Sequence, residues 1–425
     1  MKYLTIREAL KKGKGKVSIR GWIYRERSLK DKVFLVIRDS TDIVQCIVKG
    51  KLYGKAKELL IESSVKIEGT IRKDKRAPTG YEIDVSKLDV VHKAEKYPIT
   101  KDQSIEFLAD KRHLWIRSRK ITSILKIRST VFGAIHEFFR KKGYFEFQSP
   151  IIIPGGAEEG PTLFEVKYYG KKAYLAQTWQ LYAEAAMFAL ERIYTIAPSF
   201  RAEKSKTSRH LTEYWHAEVE VAWMELDELI DLAEDMIKFV VKKVLKECKE
   251  ELKLIGKDLK DLEIVVKKKF PRVTYDDVLK DLAKKGIKVK WGKDLRTVEE
   301  EKYMEGKKVP VFVTHYPKDI MAFYKPRDPK RKDVALCFDL LAPGSMGEII
   351  GGSQRDIDIE ELKKTLKKLG EKLKDYDYYL DTRRYGSVPH SGYGLGVERL
   401  VAWICGLDSI KDAIGFPRTM LRYKP

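Results

Sequence analysis

Five short runs within the first hundred residues read as strands, with glycine or aspartate turns between them: 17–23, 32–38, 43–48, 64–71 and 81–85. A period of two puts alternate side chains on opposite faces of a strand, so each run offers one face to a core. A helical stretch near 55–60 is expected between the third and fourth runs. Five such strands with one helical insertion predict a small Greek-key barrel.

Barrels of this OB type commonly bind single-stranded nucleic acid on an aromatic platform with a basic rim. Phe34 is the candidate base-stacking residue and Gln45 the candidate base-edge reader. The charge supports an anionic partner: 85 Lys and Arg against 63 Asp and Glu leave a net +22 over 425 residues. Cations that neutralise phosphates release condensed counterions on binding. No apolar run reaches the roughly 18–20 residues of a membrane-spanning helix, and the first residues lack a signal peptide's apolar stretch, so a cytoplasmic protein is expected. Cys46, Cys248, Cys337 and Cys405 lie far apart without C-x-x-C spacing, which excludes a zinc ribbon and predicts buried thiols.

Residues 1–96 are thus expected to form the barrel and 97–120 a linker, with Arg112, His113, Arg117, Arg119 and Lys120 grouped near its end. From Ile121 the period becomes helical through Leu125, Val131, Ile135, Phe138 and Phe139, and Gly143 supplies the stop. Strands are expected from there to about Trp223, then an amphipathic helix over 226–245. Residues 246–310 are Lys-rich, weakly patterned and read as peripheral, and strands return at 309–314 and 334–340. The second domain, 121–425, therefore reads as α+β, an antiparallel or mixed sheet flanked by helices.

Charged residues in this second domain occupy places where a strand is ordinarily apolar. Arg201 and Glu203 project from one face of a strand, ahead of Arg209-His210 and a return strand through Tyr214 to Glu220. Gly347-Glu348-Ile349-Ile350-Gly351-Gly352-Ser353-Gln354-Arg355 lies downstream of Asp339. Asp339 and Glu348 beside backbone-exposing glycines suit Mg²⁺, which binds through one or two carboxylates plus substrate phosphates. The run Gly392-Tyr393-Gly394-Leu395-Gly396 brings backbone close to a ligand before Arg399 in the first turn of a helix. Neither a Walker sequence nor a strand-initiated G-x-G-x-x-G occurs.

In this order the three features resemble the motifs of class II aminoacyl-tRNA synthetases, in the subclass with an N-terminal OB-fold anticodon-binding domain. Motif 1 resembles Gly143-Tyr144-Phe145-Glu146-Phe147-Gln148-Ser149-Pro150, motif 2 Phe200-Arg201-Ala202-Glu203 to Glu220, and motif 3 Gly394-Leu395-Gly396-Val397-Glu398-Arg399. The resemblance spans the chain and is greatest to the archaeal asparaginyl members. Aspartyl members carry a lysine toward the substrate carboxylate where this chain has Ala183, followed by Glu184 in Gln177-Thr178-Trp179-Gln180-Leu181-Tyr182-Ala183-Glu184. A carboxylate accepts from the amide of asparagine and repels aspartate. The runs 316–324 and 389–392 are also asparaginyl-like. The remaining readings are an aspartyl enzyme of relaxed specificity, a non-catalytic paralogue and a tRNA-independent asparagine-forming enzyme on the same catalytic fold.

The resemblance implies an ATP-dependent ligase that makes asparaginyl-adenylate, releases pyrophosphate and transfers the acyl group to tRNA(Asn). It places Arg201 between the α-phosphate and the substrate carboxylate, Glu203 at the adenine, Tyr214 and Arg399 on the two adenine faces, and Arg209 and His210 at the outer phosphates. Arg201, Glu203 and Arg399 are the implied catalytic residues, and Asp339 and Glu348 the implied ligands of Mg²⁺, with Glu348 also at ATP. Glu158 and Gln180 would take the α-amino group of L-asparagine, Arg355 its side-chain oxygen and Glu184 its amide nitrogen. Phe34 and Gln45 would hold the central anticodon base, and a homodimer through the motif 1 region is implied. Two stretches depart from the family: Glu158-Glu159-Gly160-Pro161 stands where the amino-group loop reads Glu-Gly-Gly-Ala, and Thr178-Trp179 follows Gln177, with Trp179 expected to narrow the amino-acid site.

Overall fold

All five runs become strands; burial alternates along 32–38 and 64–71, whereas the run at 43–48 is buried on both faces except at Gln45. In the computed structural model, which describes residues 2–155, 163–204 and 207–425, the chain divides into two units, Met1–Leu108 and Ala109–Pro425. The first begins with helix α1 (Ile6–Lys12), closed by a capping box between Thr5 and Glu8. Then come β1 (Gly15–Ser28), β2 (Lys32–Arg38), β3 (Ile43–Lys49), α2 (Tyr53–Lys57), β4 (Ser64–Lys73) and β5 (Tyr81–His92). These strands close into a barrel in the order β1-β2-β3-β5-β4, which is the expected OB fold. Val33, Leu35 and Ile37 point into a core shared with Ile6, Ile19, Cys46 and Ile67, leaving Phe34 and Val36 on the outer face.

The segment expected to be a linker contains α3 (Ile105–Asp110) and α4 (Arg112–Trp115). Arg112, one of the cations grouped near its end, is 2% exposed: Nε donates to the Gly415 carbonyl at 2.8 Å and Nη2 to that of Ile414 at 2.8 Å. Its guanidinium caps the carbonyls of the C-terminal segment and is not offered to a phosphate backbone.

Beyond α5 (Arg119–Lys141), the second unit continues through β6 (Phe145–Glu146), β7 (Ile152–Ile153), β8 (Glu165–Tyr168), β9 (Lys171–Leu175) and α6 (Gln180–Leu190). Strands were expected throughout this stretch. Helix α6 forms there because its eleven residues are rich in Ala, Leu, Met and Glu, all strong helix formers. Next come β10 (Arg192–Phe200), β11 (Glu213–Ala222), α7 (Leu226–Glu247), α8 (Lys249–Leu254), α9 (Leu259–Lys267), β12 (Arg272–Thr274), α10 (Tyr275–Lys284), α11 (Thr297–Met304) and β13 (Val311–Thr314). The chain ends through β14 (Cys337–Ala342), β15 (Gly347–Gln354), α12 (Ile359–Lys368), α13 (Asp377–Arg384), β16 (His390–Gly396) and α14 (Val397–Cys405).

Eight strands form one sheet in the order β12-β13-β14-β15-β16-β11-β10-β6, mostly antiparallel but with parallel pairs at both ends. This is the expected α+β layout. The long helices α5 and α7 bury Ile127, Val131, Ile135, Met236, Ile237 and Val240 together with Val219, Ile350 and Leu395 of the sheet. The opposite ends of the alternation on β11, β15 and β16 therefore carry the polar residues.

Candidate active site

Alternate residues of β11 share a face, which lines up His216, Glu218 and Glu220 opposite Gly396, Gly394 and Gly392 of β16. The glycines are required there. A Cβ on Gly392 would run into the Glu220 carboxylate, and one on Gly394 would lie 2.6 Å from His216 Nε2. The alternate glycines of the sequence are thus the floor on which the β11 side chains lie.

One cavity of about 110 Å³ is lined by Arg201, Glu203, Arg209, His210, Tyr214, Glu348 and Arg399 together, all seven residues expected at ATP. Arg201 follows the last residue of β10, and its amide donates to the Thr212 carbonyl at 3.0 Å, closing the loop that carries Arg209 and His210. His210 Nε2 lies 3.7 Å from Glu203 Oε2, and burial lowers its pKa below the usual imidazole value. Arg399 Nη1 donates to the Glu348 carbonyl at 2.6 Å. The neighbouring Glu398 is 1% exposed and accepts from the Trp215 amide at 3.0 Å and pairs with Arg128 at 2.7 Å, which fixes the start of α14 against β11.

Asp339 and Glu348, on adjacent strands, converge over Gly351. A Cβ added to Gly351 would lie 2.7 Å from Glu348 Oε1 and 3.6 Å from Asp339 Oδ1. Burial, then the charge of Glu348, raises Asp339 well above the usual carboxylate range, a repulsion that a divalent cation would relieve. Two converging carboxylates with room above a glycine fit Mg²⁺ held jointly with nucleotide phosphates. Among the described residues no group of three or more His, Cys, Asp or Glu side chains is disposed to hold a metal without such help.

The amino-acid end lies among α6, β11, β15, α13 and β16. Gln180 and Glu184, one helical turn apart, are buried, and Gln180 Nε2 donates to Glu184 Oε1 at 2.8 Å. Tyr379 OH also donates to Oε1 at 3.1 Å, while Oε2 pairs with Arg383 at 2.6 Å and His390 Nε2 at 3.1 Å. Burial alone would raise the Glu184 carboxyl, but Arg383, His390 and Arg355 outweigh it and hold the group well below the usual range. Four partners around two oxygens fill its accepting directions, so the contact expected between Glu184 and a substrate amide meets a carboxylate that is already satisfied.

Arg355 is 4% exposed and donates to Glu220 through Nε, at 3.1 Å, and Nη2, and to Ser353 Oγ through Nη1 at 2.8 Å. Glu184 stands 4.0 Å from its Nε, and the Tyr324 ring centre 5.2 Å from its Cζ. Burial pushes Glu220 up to about 7 against the pull of Arg355. Sequence reasoning assigned no role to Glu220, Glu218, Arg383 or His390. For Glu218 and Glu220 the signal was the Glu-x-Glu alternation of the return strand, which marks two carboxylates on one face; Arg383 and His390 lie on other elements, α13 and β16.

Trp179 does not narrow the site. It is 2% exposed, packs with Ala183, Met187 and Ile193, and donates Nε1 to the Phe147 carbonyl at 2.8 Å. Thr178 donates its hydroxyl to Glu218 Oε1, and the Trp179 amide donates to Oε2 at 2.9 Å, so the departure from the family braces Glu218. Glu158 lies outside the described residues. On the barrel, Phe34 stands opposite Arg27 on β1, with the cations of Arg27 and Lys32 each 5.9 Å from its ring centre. Gln45 Nε2 donates at 3.2 Å to Glu82, which also holds Arg72 at 2.8 Å.

The second segment of the chain, residues 104–420, matches the family model described as tRNA synthetases class II (D, K and N), and residues 17–91 match an OB-fold nucleic acid binding domain. The chain belongs to the class II tRNA synthetases of that group. Its relatives include the asparagine–tRNA ligase of Thermoplasma acidophilum, 47% identical over 96% of each chain. The asparaginyl-tRNA synthetase of Pyrococcus horikoshii, solved with asparaginyl-adenylate, is 44% identical, with a TM-score of 0.96 and 100% of both chains covered. That of Entamoeba histolytica, also with asparaginyl-adenylate, is 32% identical, with a TM-score of 0.88 and 97% of both chains covered.

Proposed function

We propose that this protein is an asparagine–tRNA ligase that activates L-asparagine with ATP and transfers it to tRNA(Asn). The observation that carries asparagine over aspartate is the state of Arg355: its guanidinium is already paired with Glu220, with Glu184 close behind. The two buried arginines, Arg355 and Arg383, are matched by the two carboxylates Glu184 and Glu220. A neutral amide leaves that balance intact, whereas the carboxylate of aspartate adds a buried charge without a partner. Such a site rejects the acid through charge and the amide's own hydrogen bonds select it. Glu184 acts here by setting the charge around Arg355.

The carboxylate of asparagine attacks the α-phosphorus of ATP and pyrophosphate leaves. A hydroxyl of the terminal adenosine of tRNA then attacks the acyl carbon and AMP leaves. Arg201 is aligned to bridge the α-phosphate and the substrate carboxylate, so the pair is oriented and the developing negative charge is met by a fixed cation. Tyr214 and Arg399 are the flat groups for the adenine, with Glu203 at its edge, while Arg209 and His210 face the outer phosphates. Gln180 takes the α-amino group with Glu158. Mg²⁺, held by Asp339 and Glu348, would neutralise charge on the phosphates. On the barrel, Phe34 between two cations is suited to stack the central anticodon base and Gln45 to read its edge. Phe145, Ile151 and Ile152 are 42–57% exposed around motif 1, which supports a homodimer through that face. No helix among the described residues is long and apolar enough to cross a membrane.

ATP–pyrophosphate exchange with asparagine and aspartate in parallel, followed by charging of tRNA(Asn), tests the reading. Exchange with asparagine alone is expected. Exchange only with aspartate would overturn the substrate, and no exchange with either would overturn the activity.

A further inference from the structure

Arg209 reaches the nucleotide cavity with its charge already matched. Only 4% of its side chain is exposed, Nη1 pairs with Glu300 at 2.9 Å, Nη2 pairs with Glu301 at 2.8 Å, and Nε donates to the Ser345 carbonyl. Both carboxylates come from α11, in the Lys-rich stretch between β11 and β13 that the sequence marks as peripheral. The contact is built into the backbone. Gly347, at φ +63°, is the residue on which the pair rests, and any side chain there would strike both Glu300 and Arg209. Tyr303 and Met304 seat α11 in a core of their own with Tyr275, Val278 and Leu282.

One guanidinium is shared between two carboxyl groups, and burial together with the charge of Glu348 pushes that of Glu300 up to about 7. The triphosphate of ATP must compete with those two side chains for the guanidinium, and phosphate, like carboxylate, can take it as a charged bidentate partner. We propose that α11 is a displaceable clasp on the nucleotide site: Glu300 and Glu301 hold Arg209 before ATP binds, and the outer phosphates take the guanidinium from them. The proposal rests on the reading above that Arg209 meets those phosphates. The Ser345 carbonyl keeps Nε in place through the exchange, so Arg209 stays aimed while its two Nη groups change partners. Glu300 and Glu301 are thereby positioning residues that set ATP affinity through Arg209.

Binding of ATP and of adenosine to the whole enzyme, measured by calorimetry beside the KM values for ATP and asparagine, tests the clasp. The isosteric pair Glu300→Gln with Glu301→Gln removes the carboxylates and keeps the shape. If the clasp is open about one-tenth of the time, its removal tightens ATP about tenfold. Adenosine affinity and the KM for asparagine should not move, because neither ligand meets Arg209. Glu301→Gln alone, at the more exposed side chain, should give part of the gain. In an Arg209→Ala background, ATP should bind more weakly and the gain should vanish. If Arg209→Ala weakens ATP while the glutamine pair leaves it unchanged or weaker, the clasp is wrong and Arg209 still binds phosphate. If Arg209→Ala leaves ATP affinity unchanged, the assignment of Arg209 fails and the clasp fails with it. Equal tightening of adenosine would also overturn the clasp, since the effect would then not depend on phosphate.

Discussion

Arg383 and Glu184 meet at 2.6 Å with neither side chain exposed at all. A buried pair of this kind contributes little over an apolar replacement, but removing one partner strands the other in a low dielectric and costs about 3–5 kcal/mol. Glu184→Gln should therefore lower the unfolding midpoint of the protein. The pH dependence follows from the direction of its shift. The folded carboxyl is held below the unfolded value, so its stabilisation is full above about pH 4.3 and is lost as the pH falls from there toward the folded value. Glu220, pushed up to about 7 partly by the Glu184 charge, titrates at higher pH, so the comparison is made below about pH 5.5, where the gap between wild type and variant should narrow as the pH falls. Thermal unfolding across that range checks it, and a gap that widens in acid would sink the assignment.

The partner of Arg355 gives a prediction about choice of substrate. Glu220→Gln leaves the guanidinium with one fewer negative neighbour, so aspartate gains a charge partner it lacks in the native pocket. The ratio of kcat/KM for asparagine over aspartate in pyrophosphate exchange should fall by about tenfold, a differential of about 1.4 kcal/mol. Glu184→Gln should shift the ratio the same way. An unchanged ratio in both variants would remove charge balance as the origin of selectivity.

Gly351 tests the two-carboxylate site without altering a ligand. A methyl group at this position would press on Glu348 Oε1 at 2.7 Å, and Glu348 is the side chain that must move. Gly351→Ala should raise the Mg²⁺ concentration that gives half-maximal exchange, by about tenfold if it perturbs the site as loss of a supporting contact does. The circular dichroism spectrum should stay native. A Mg²⁺ dependence identical to wild type would place the ion elsewhere.

How much of this was legible in the sequence depends on how local each cause is. The barrel could be read because β2 and β4 obey period two along their own length, with Val33, Leu35 and Ile37 of β2 and Val65, Ile67 and Ile71 of β4 inside. The motif residues could be read because Arg201, Glu203 and Arg399 sit in short runs of unusual composition. Helix α1 was missed although Thr5-Ile6-Arg7-Glu8 carries a capping-box pattern, and α6 was missed because its apolar face and its polar face are both buried, which blurs the period. Trp179 was misplaced because a chain position beside the pocket does not say which way a ring turns; its indole N–H found the Phe147 carbonyl in the core. The pairing of Arg209 with Glu300 and Glu301 spans about ninety residues and comes from how α11 packs on β15, so no local pattern could announce it.

Phe34 separates the two halves of the reaction. It lies on the outer face of the barrel, flanked by Arg27 and Lys32, while the residues proposed for the exchange reaction all belong to the second unit. Stacking of a base on an aromatic side chain is worth about 1–3 kcal/mol, so Phe34→Ala should raise the KM for tRNA by roughly 5- to 150-fold. Asparagine-dependent pyrophosphate exchange in the absence of tRNA should be unaffected. Gln45→Ala should act in the same direction and should also release Glu82, whose remaining partner is Arg72. Because the Glu82 side chain is nearly buried, part of the Gln45 effect will be lost barrel stability, which is why Phe34 is the sharper probe. Equal loss of exchange and charging in Phe34→Ala would mean that the substitution disturbs the whole protein and would remove Phe34 from the tRNA site.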